Sequence, residues 1–466
     1  MVFSSMVFLF AFLPAVLVLY FIAPKKLKNT VLFVTSLFFY AWGEPKYILL
    51  MLASITAAYV TGIFADKQKY GKSKAFAATL AAVIWNIGLL AIFKYSDFFV
   101  TNVNSLFGAQ IKLPGLALPI GISFYSFQSL SYVIDVYRGE VKPQKNFITL
   151  GTYVALFPQL VAGPIVRYID IEKQLGERNF SAEQFAAGVK RFAVGLAKKA
   201  LLANNIYALF NEIAAADSSQ LSVAAAWISA LAYTFQIYFD FSGYSDMAIG
   251  LGKMFGFDLL ENFNYPYISA SITEFWRRWH MTLSGWYVYI PLGGNRKGRV
   301  RQCVNIMIVW CLTGFWHGAN WNFILWGLYF GVLLLIEKLL LKKVLDKLPA
   351  AVSHIYALLL IVIGWGIFAY EDTAQLTANF KNMFGFGGLP LWSAQTGMWL
   401  MQYLPLIAVL VLGSTPVIKQ LGAYLNEKCP RVYQLALEPV SVAAMLIAST
   451  AYLASGSFNP FLYFRF

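Results

Sequence analysis

MVFLFAFLPAVLVLYFI, residues 6–22, runs for seventeen residues without a charged side chain. A helix rises 1.5 Å per residue, so crossing a hydrocarbon core about 30 Å thick takes roughly 20 apolar residues. A run of this kind near the start of a chain also resembles a secretory leader. This one has no basic residues before it and no small-x-small cleavage site after it, and more apolar runs follow, so it reads as a first, retained membrane helix. Working outward, runs able to cross recur at roughly 30–42, 47–64, 75–97, 116–136, 196–214, 222–250, 303–318, 321–337, 355–371, 398–414 and 437–456. Composition agrees: 59% of the 466 residues are apolar and 12% charged, against roughly 45–50% and about 25% in soluble domains. Mean hydropathy is +0.62. The expectation is an all-α integral membrane protein, a polytopic bundle of about 11–12 transmembrane helices formed as one domain over residues 1–466.

The net charge of +14 does not point to nucleic acid. Lysine and arginine cluster in short gaps such as PKKLKN (24–29), DKQKYGKSK (66–74), YRGEVKPQKN (137–146), EKLLLKKVLDK (337–347) and EKCPR (427–431), whereas TNVNSLFGAQ (101–110) and DSSQ (217–220) carry no basic residue. Positive loops mark the cytoplasmic side, which places the N-terminus outside the cytoplasm. The three cysteines, Cys303, Cys311 and Cys429, have no metal-ligand spacing and form no even-numbered disulfide framework.

Two segments break the pattern. Residues 147–200 contain FPQLVAGPIVRY, where Pro158, Gly163 and Pro164 interrupt an apolar run, followed by a helix cap at Ser181 and an amphipathic helix bearing Lys190, Arg191, Lys198 and Lys199. Residues 257–302 are too charged to span and too aromatic for a solvated loop. Irregular backbone at membrane depth survives only where it packs in protein or lines a cavity. Both segments are therefore expected to be re-entrant or interfacial elements around a central tunnel.

Ionisable groups at membrane depth are costly and usually functional, and histidine is the common general base near neutral pH. Of three histidines, His280 ends FWRRWH and His317 lies in TGFWHGANW beside Trp316 and Asn320. Gly314 and Gly318 would admit a second backbone or a thin substrate. Trp276 and His280 share a face at helical spacing, and the tryptophans, Trp279 included, suit membrane-interface anchors. Arg277 and Arg278 suit a phosphate or a carboxylate. Asp240 and Asp246, in FDFSGYSDMAIG, would orient a histidine, line a path or satisfy a buried arginine. His354, after a polar turn, reads as structural. These residues support a membrane enzyme using histidine base chemistry, or a transporter with histidine in its path.

At these residues the chain resembles the membrane-bound O-acyltransferase (MBOAT) family, in its bacterial branch acting on alginate, peptidoglycan and other wall polysaccharides. The matching stretches include YAWGEPKYILLM (40–51), LPIGISFYSFQSLSYVIDVYRGE (118–140), FPQLVAGPIVRY (157–168), YTFQIYFDFSGYSDMAIGLGKMFGF (233–257), NFNYPYISASITEFWRRWHMTLSGW (262–286), YIPLGGNR (289–296) and TGFWHGANWNFILWGLYFG (313–331). They cover most of residues 1–340; residues 341–466 match only in hydrophobic character. The resemblance implies acyl transfer, usually acetyl, to a hydroxyl, with no bound cofactor. The implied donor is a cytoplasmic thioester such as acetyl-CoA, and the acceptor an extracytoplasmic polysaccharide reached through an SGNH-type partner protein. It implies a multi-pass protein of the bacterial cytoplasmic membrane, in contact with lipid and not with nucleic acid. His317 falls on the family's active-site histidine and His280 on a second functional position. Arg277, Arg278, Arg296 and Lys297 are expected toward the donor phosphates. The family's aromatic-Arg-Asp triplet after Trp286 is absent. D-alanyl transfer in teichoic-acid modification shares this scaffold and stays open, as does transport without chemistry.

Overall fold

The computed structural model describes residues 1–161, 163–178, 180–217, 220–286 and 298–456. Among these the regular structure is helical, apart from one isolated antiparallel bridge between Phe263 and Trp279. The chain divides into two compact units. The first takes Met1–Phe192, Tyr244–Glu261 and the described residues from Gly285; the second takes Ala193–Gly243, Asn262–Ser284 and the described residues from Gly298.

The first unit opens with α1 (Phe8–Ile22), α2 (Lys28–Gly43), α3 (Ile48–Phe64) and α4 (Lys67–Phe107). The helix expected at 75–97 thus extends into both flanking gaps. Its start is set by Asp66, whose carboxylate accepts the Gln68 and Lys69 amides at 2.9 and 3.2 Å, and Gly71 (φ 78°) absorbs a kink. α5 (Ile122–Arg138), α6 (Phe147–Ala155), α7 (Phe157–Leu160) and α8 (Tyr168–Gly176) follow, so FPQLVAGPIVRY yields one four-residue helix opened by Pro158 and no crossing. The core gathers Phe8, Phe12, Phe39 and Phe157, with neighbouring ring centroids 5.4–6.2 Å apart. Ser181 caps α9 (Ala182–Ala197) as expected, accepting the Gln184 amide at 3.0 Å.

Farther along are α10 (Asn204–Ala214) and α11 (Val223–Met254). The second unit holds α12 (Ile272–Arg278) and the start of α13 (Met281–Trp286), helices of seven and six residues, too short to cross. Then come α14 (Arg299–His317), α15 (Trp321–Leu345), α16 (Ala350–Ala369), α17 (Thr373–Met383), α18 (Ala394–Gly413), α19 (Val417–Lys428) and α20 (Pro430–Ala454). Among the described residues five helices, α4, α15, α16, α18 and α20, are long and apolar enough to cross a membrane, and α1 and α3 are shorter apolar helices. The protein is membrane-embedded and multi-pass.

α14 and α15 form the hairpin that carries His317. They meet at Gly314 and Gly327, where a methyl built on either glycine lies 3.2 Å from the other's Cα and collides with a backbone carbonyl of the facing helix, that of Phe323 or of Trp310. Small residues permit this approach, the usual device for packing helices in lipid, where no hydrophobic drive brings them together. The same unit packs Trp276, Trp310, Trp326, Trp365 and Phe330 into an aromatic core.

Candidate active site

His280 does not lie on a helix. α12 ends at Arg278, and His280 follows with φ +46°, a left-handed conformation uncommon for a residue with a Cβ. Trp276 and His280 therefore do not share a helix face; the helical spacing assumed in the sequence breaks at Trp279. Two backbone bonds hold the turn, Asn264 N–H to Arg278 O (2.9 Å) and Met281 N–H to Asn262 O (3.0 Å), flanking the Phe263–Trp279 bridge.

The start of α12 is secured by three side chains. Ser271 caps it locally, its hydroxyl accepting the Glu274 amide at 3.0 Å, while Glu274 reaches back to the Ala270 amide at 3.0 Å. Glu337, within α15 and 3% exposed, accepts from the Ile272 and Thr273 amides at 2.6 and 2.8 Å and from the Thr273 hydroxyl at 2.7 Å. The sequence put Glu337 in a basic loop; α15 instead runs on through it in a π-helical stretch, Glu337–Leu341.

The His280 ring is 2% exposed. Its Nδ1 lies 3.1 Å from the Asn262 side-chain oxygen, and Phe241 meets it edge-on at 4.9 Å. His317 is the last residue of α14 and is also buried, walled by Trp326 and Phe368 at centroid distances of 5.2 and 5.4 Å. Trp316 neighbours both rings, 6.2 Å from His280 and 4.9 Å from His317. Two buried imidazoles thus share one tryptophan inside a single unit. An imidazole can accept or donate a proton near neutral pH, so a substrate reaching either ring would meet a group of the kind that serves as a general base.

The chain matches the family model for the MBOAT, membrane-bound O-acyltransferase family, over residues 140–370, a span that contains both histidines. It is 38% identical over 504 aligned residues to the probable alginate O-acetylase AlgI of Azotobacter vinelandii, with 100% of each chain covered. The chain belongs to the membrane-bound O-acyltransferase family. This MBOAT protein is also 35% identical to the peptidoglycan O-acetyltransferase of Helicobacter pylori, covering 84% of this chain and 81% of that protein. It is 29% identical to the teichoic acid D-alanyltransferase of Bacillus subtilis, covering 46% of this chain and 58% of the relative. The protein is a membrane O-acyltransferase, which sets aside a transporter that performs no chemistry.

Around the two histidines of this MBOAT protein the other sequence candidates take definite places. Trp279 is buried against Phe263, Phe275 and Trp365, and the half-buried Trp276 packs on Trp310 and Phe330, so both take part in the aromatic core. Arg277 is exposed. Arg278 is held by Glu274 (Nε to Oε1, 2.9 Å) and the Asn264 carbonyl (3.2 Å). Of the roles open to it, Asp240 takes one close to the last, pairing with a buried lysine instead of an arginine, Lys199 at 2.6 Å, with both side chains at most 2% exposed. Asp246, in the first unit, does meet an arginine, Arg191 at 2.7 Å, which also binds Glu261 at 2.6 Å. Asn320 caps α15 by accepting the Trp321 amide at 2.7 Å. Gly314 and Gly318 face α15 and the Phe323 ring, so their missing side chains make room for protein and not for substrate. Arg296, Lys297 and the shortened stretch after Trp286 lie outside the described residues. Sequence reasoning missed Asn262 and Glu337. The S-x-x-E pattern of Ser271–Glu274 would have located the start of α12, but no local signal announces a carboxylate supplied from 65 residues away.

Proposed function

We propose that this protein transfers an acetyl group from a cytoplasmic thioester, acetyl-CoA, toward a hydroxyl of an extracytoplasmic polysaccharide or of an SGNH-type partner that modifies one. It works in the bacterial cytoplasmic membrane with its N-terminus outside. The observation that carries this reading is the pair of buried histidines on either side of Trp316, in a chain alignable end to end with an alginate O-acetylase. His317 takes the proton of the attacking hydroxyl as that oxygen bonds to the thioester carbonyl carbon. The carbon–sulfur bond then breaks, and the thiolate leaves and recovers a proton. A positioned base contributes about 10²–10⁴-fold. Membranes carrying His317→Ala, matched for folded protein, should lose acetyl transfer from labelled acetyl-CoA by about that factor; transfer at the normal rate would end the proposal.

Likeness to the teichoic acid D-alanyltransferase supports a second reading, in which the acyl group comes from a carrier protein. Label moving from acetyl-CoA onto glycan favours acetyl transfer, and indifference to acetyl-CoA favours the carrier route.

A further inference from the structure

His280 is more tightly specified than a buried histidine needs to be, and the specification comes from Asn262. The Asn262 side chain faces three groups: His280 Nδ1 at 3.1 Å, the Thr282 backbone N–H at 3.3 Å and the Thr282 hydroxyl at 2.9 Å. A backbone N–H can only donate, so the atom of Asn262 that faces this cluster is its carbonyl oxygen. An amide oxygen can only accept, so the nitrogen of His280 turned toward it must carry a hydrogen. The neutral ring is therefore protonated at Nδ1, and the lone pair sits on Nε2. Nε2 is buried and has no hydrogen-bond partner among the described residues. The backbone enforces the same orientation: the left-handed φ of His280 is held by the bonds of Asn262 and Asn264 to the neighbouring residues, so Asn262 anchors the turn through its main chain and the ring through its side chain. Strain of this kind persists only where surrounding contacts fix it.

We infer that Asn262 is a positioning residue that holds His280 as its Nδ1–H tautomer, so that Nε2 meets the substrate as an acceptor for an O–H or N–H group. This rests on the acyl-transfer reading above and deepens it. In its resting form His280 does not protonate the leaving thiolate, because Nε2 has no proton to give. It receives either the hydroxyl of the acyl acceptor or an amide N–H of the thioester donor's arm.

The protein has three histidines, which makes the tautomer directly readable. Full-length protein labelled with 15N-histidine is reconstituted in lipid, and the His280 resonances are assigned by their loss in His280→Gln. Unmodified protein should show Nδ1 protonated and Nε2 bare; a protonated Nε2 overturns the inference without recourse to any other variant. In Asn262→Leu the proton should move to Nε2 and turnover should fall on the order of 10²-fold. Asn262→Asp, which keeps an oxygen facing Nδ1 and Thr282, should restore both. A rise in KM for the hydroxyl acceptor assigns the O–H, and a rise in KM for acetyl-CoA assigns the N–H. Folded Asn262→Leu protein with unchanged tautomer and turnover refutes the role of Asn262. The tautomer is read without substrate, so its failure is separate from a failure of acetyl transfer, which His317→Ala tests.

Discussion

Replacing Gly314 with alanine places a methyl against the carbonyl of Phe323, 3.1 Å from that carbonyl carbon and 3.2 Å from the Gly327 Cα. Carbon atoms rest at about 3.5–4.0 Å, and the carbonyl oxygen is nearer still, so the two backbones must part by on the order of 1 Å. Neither contact is the end of a flexible side chain that can swing aside. Overpacking of this sort costs about 1–3 kcal/mol. Under the proposed reaction the larger effect falls on chemistry, because His317, its proposed base, lies three residues on in the same helix and moves with it. A displacement near 1 Å in a reacting group costs about 10²-fold in rate, equivalent to about 2.7 kcal/mol in the barrier. The assay is acetyl transfer per folded molecule, with the folded fraction taken from size-exclusion profiles and thermal unfolding. Gly314→Ala should lower both the midpoint and the rate. The control is Gly88 in α4, where an added methyl meets nothing within 4 Å. Gly88→Ala should leave the rate alone and stabilise its helix by up to about 1 kcal/mol. Gly314→Ala protein that transfers acetyl at the normal rate would refute the argument that helix contact sets the position of His317.

Three further outcomes follow from the same contacts. Glu337→Ala strands two amides at the start of α12, costing about 1–3 kcal/mol for each; unfolding temperature and turnover should both fall, and Glu337→Gln should recover part of each. Lys199→Met or Asp240→Leu alone leaves a buried charge and should cost about 3–5 kcal/mol, whereas the double variant should regain most of the loss in a denaturation assay. His354, whose Nδ1 donates to the Ser269 carbonyl at 3.1 Å, is structural: His354→Ala should cost about 1 kcal/mol in stability and leave transfer per folded molecule unchanged.

Much of this was legible because a bilayer imposes composition. Apolar runs revealed the membrane helices, prolines and glycines located the interrupted segment at FPQLVAGPIVRY, and the rarity of histidine drew attention to His280 and His317. What stayed hidden depends on contacts that periodicity does not encode. The spacing of Trp276 and His280 suggested one helix face, yet pairing with Asn262 and Asn264 turns the chain before His280 is reached. The glycines around His317 signalled a close approach correctly but could not say that the visitor is α15. Glu337 sits among lysines in sequence, and charge patterning assigned it to their loop, because the amides it binds are distant along the chain. Asn262 drew no attention within NFNYPY, since nothing local distinguishes an asparagine that serves a ring from one that serves a turn.

The distance between Ile272 and Glu337 also sets an order of events during synthesis. The two are separated by 65 residues, and a ribosome adding roughly 5–20 residues per second needs several seconds to cover that gap. Throughout that interval the start of α12 has only its local caps, Ser271 and Glu274. Its second set of backbone amides is closed when α15 is delivered to the membrane. A nascent chain halted at residue 336 would hold both histidines, His280 and His317, and still lack the group that finishes the arm carrying one of them. The stretch that looks sufficient by its motifs thus ends before the groups that complete it, Glu337 at the start of α12 and Phe368 against the His317 ring.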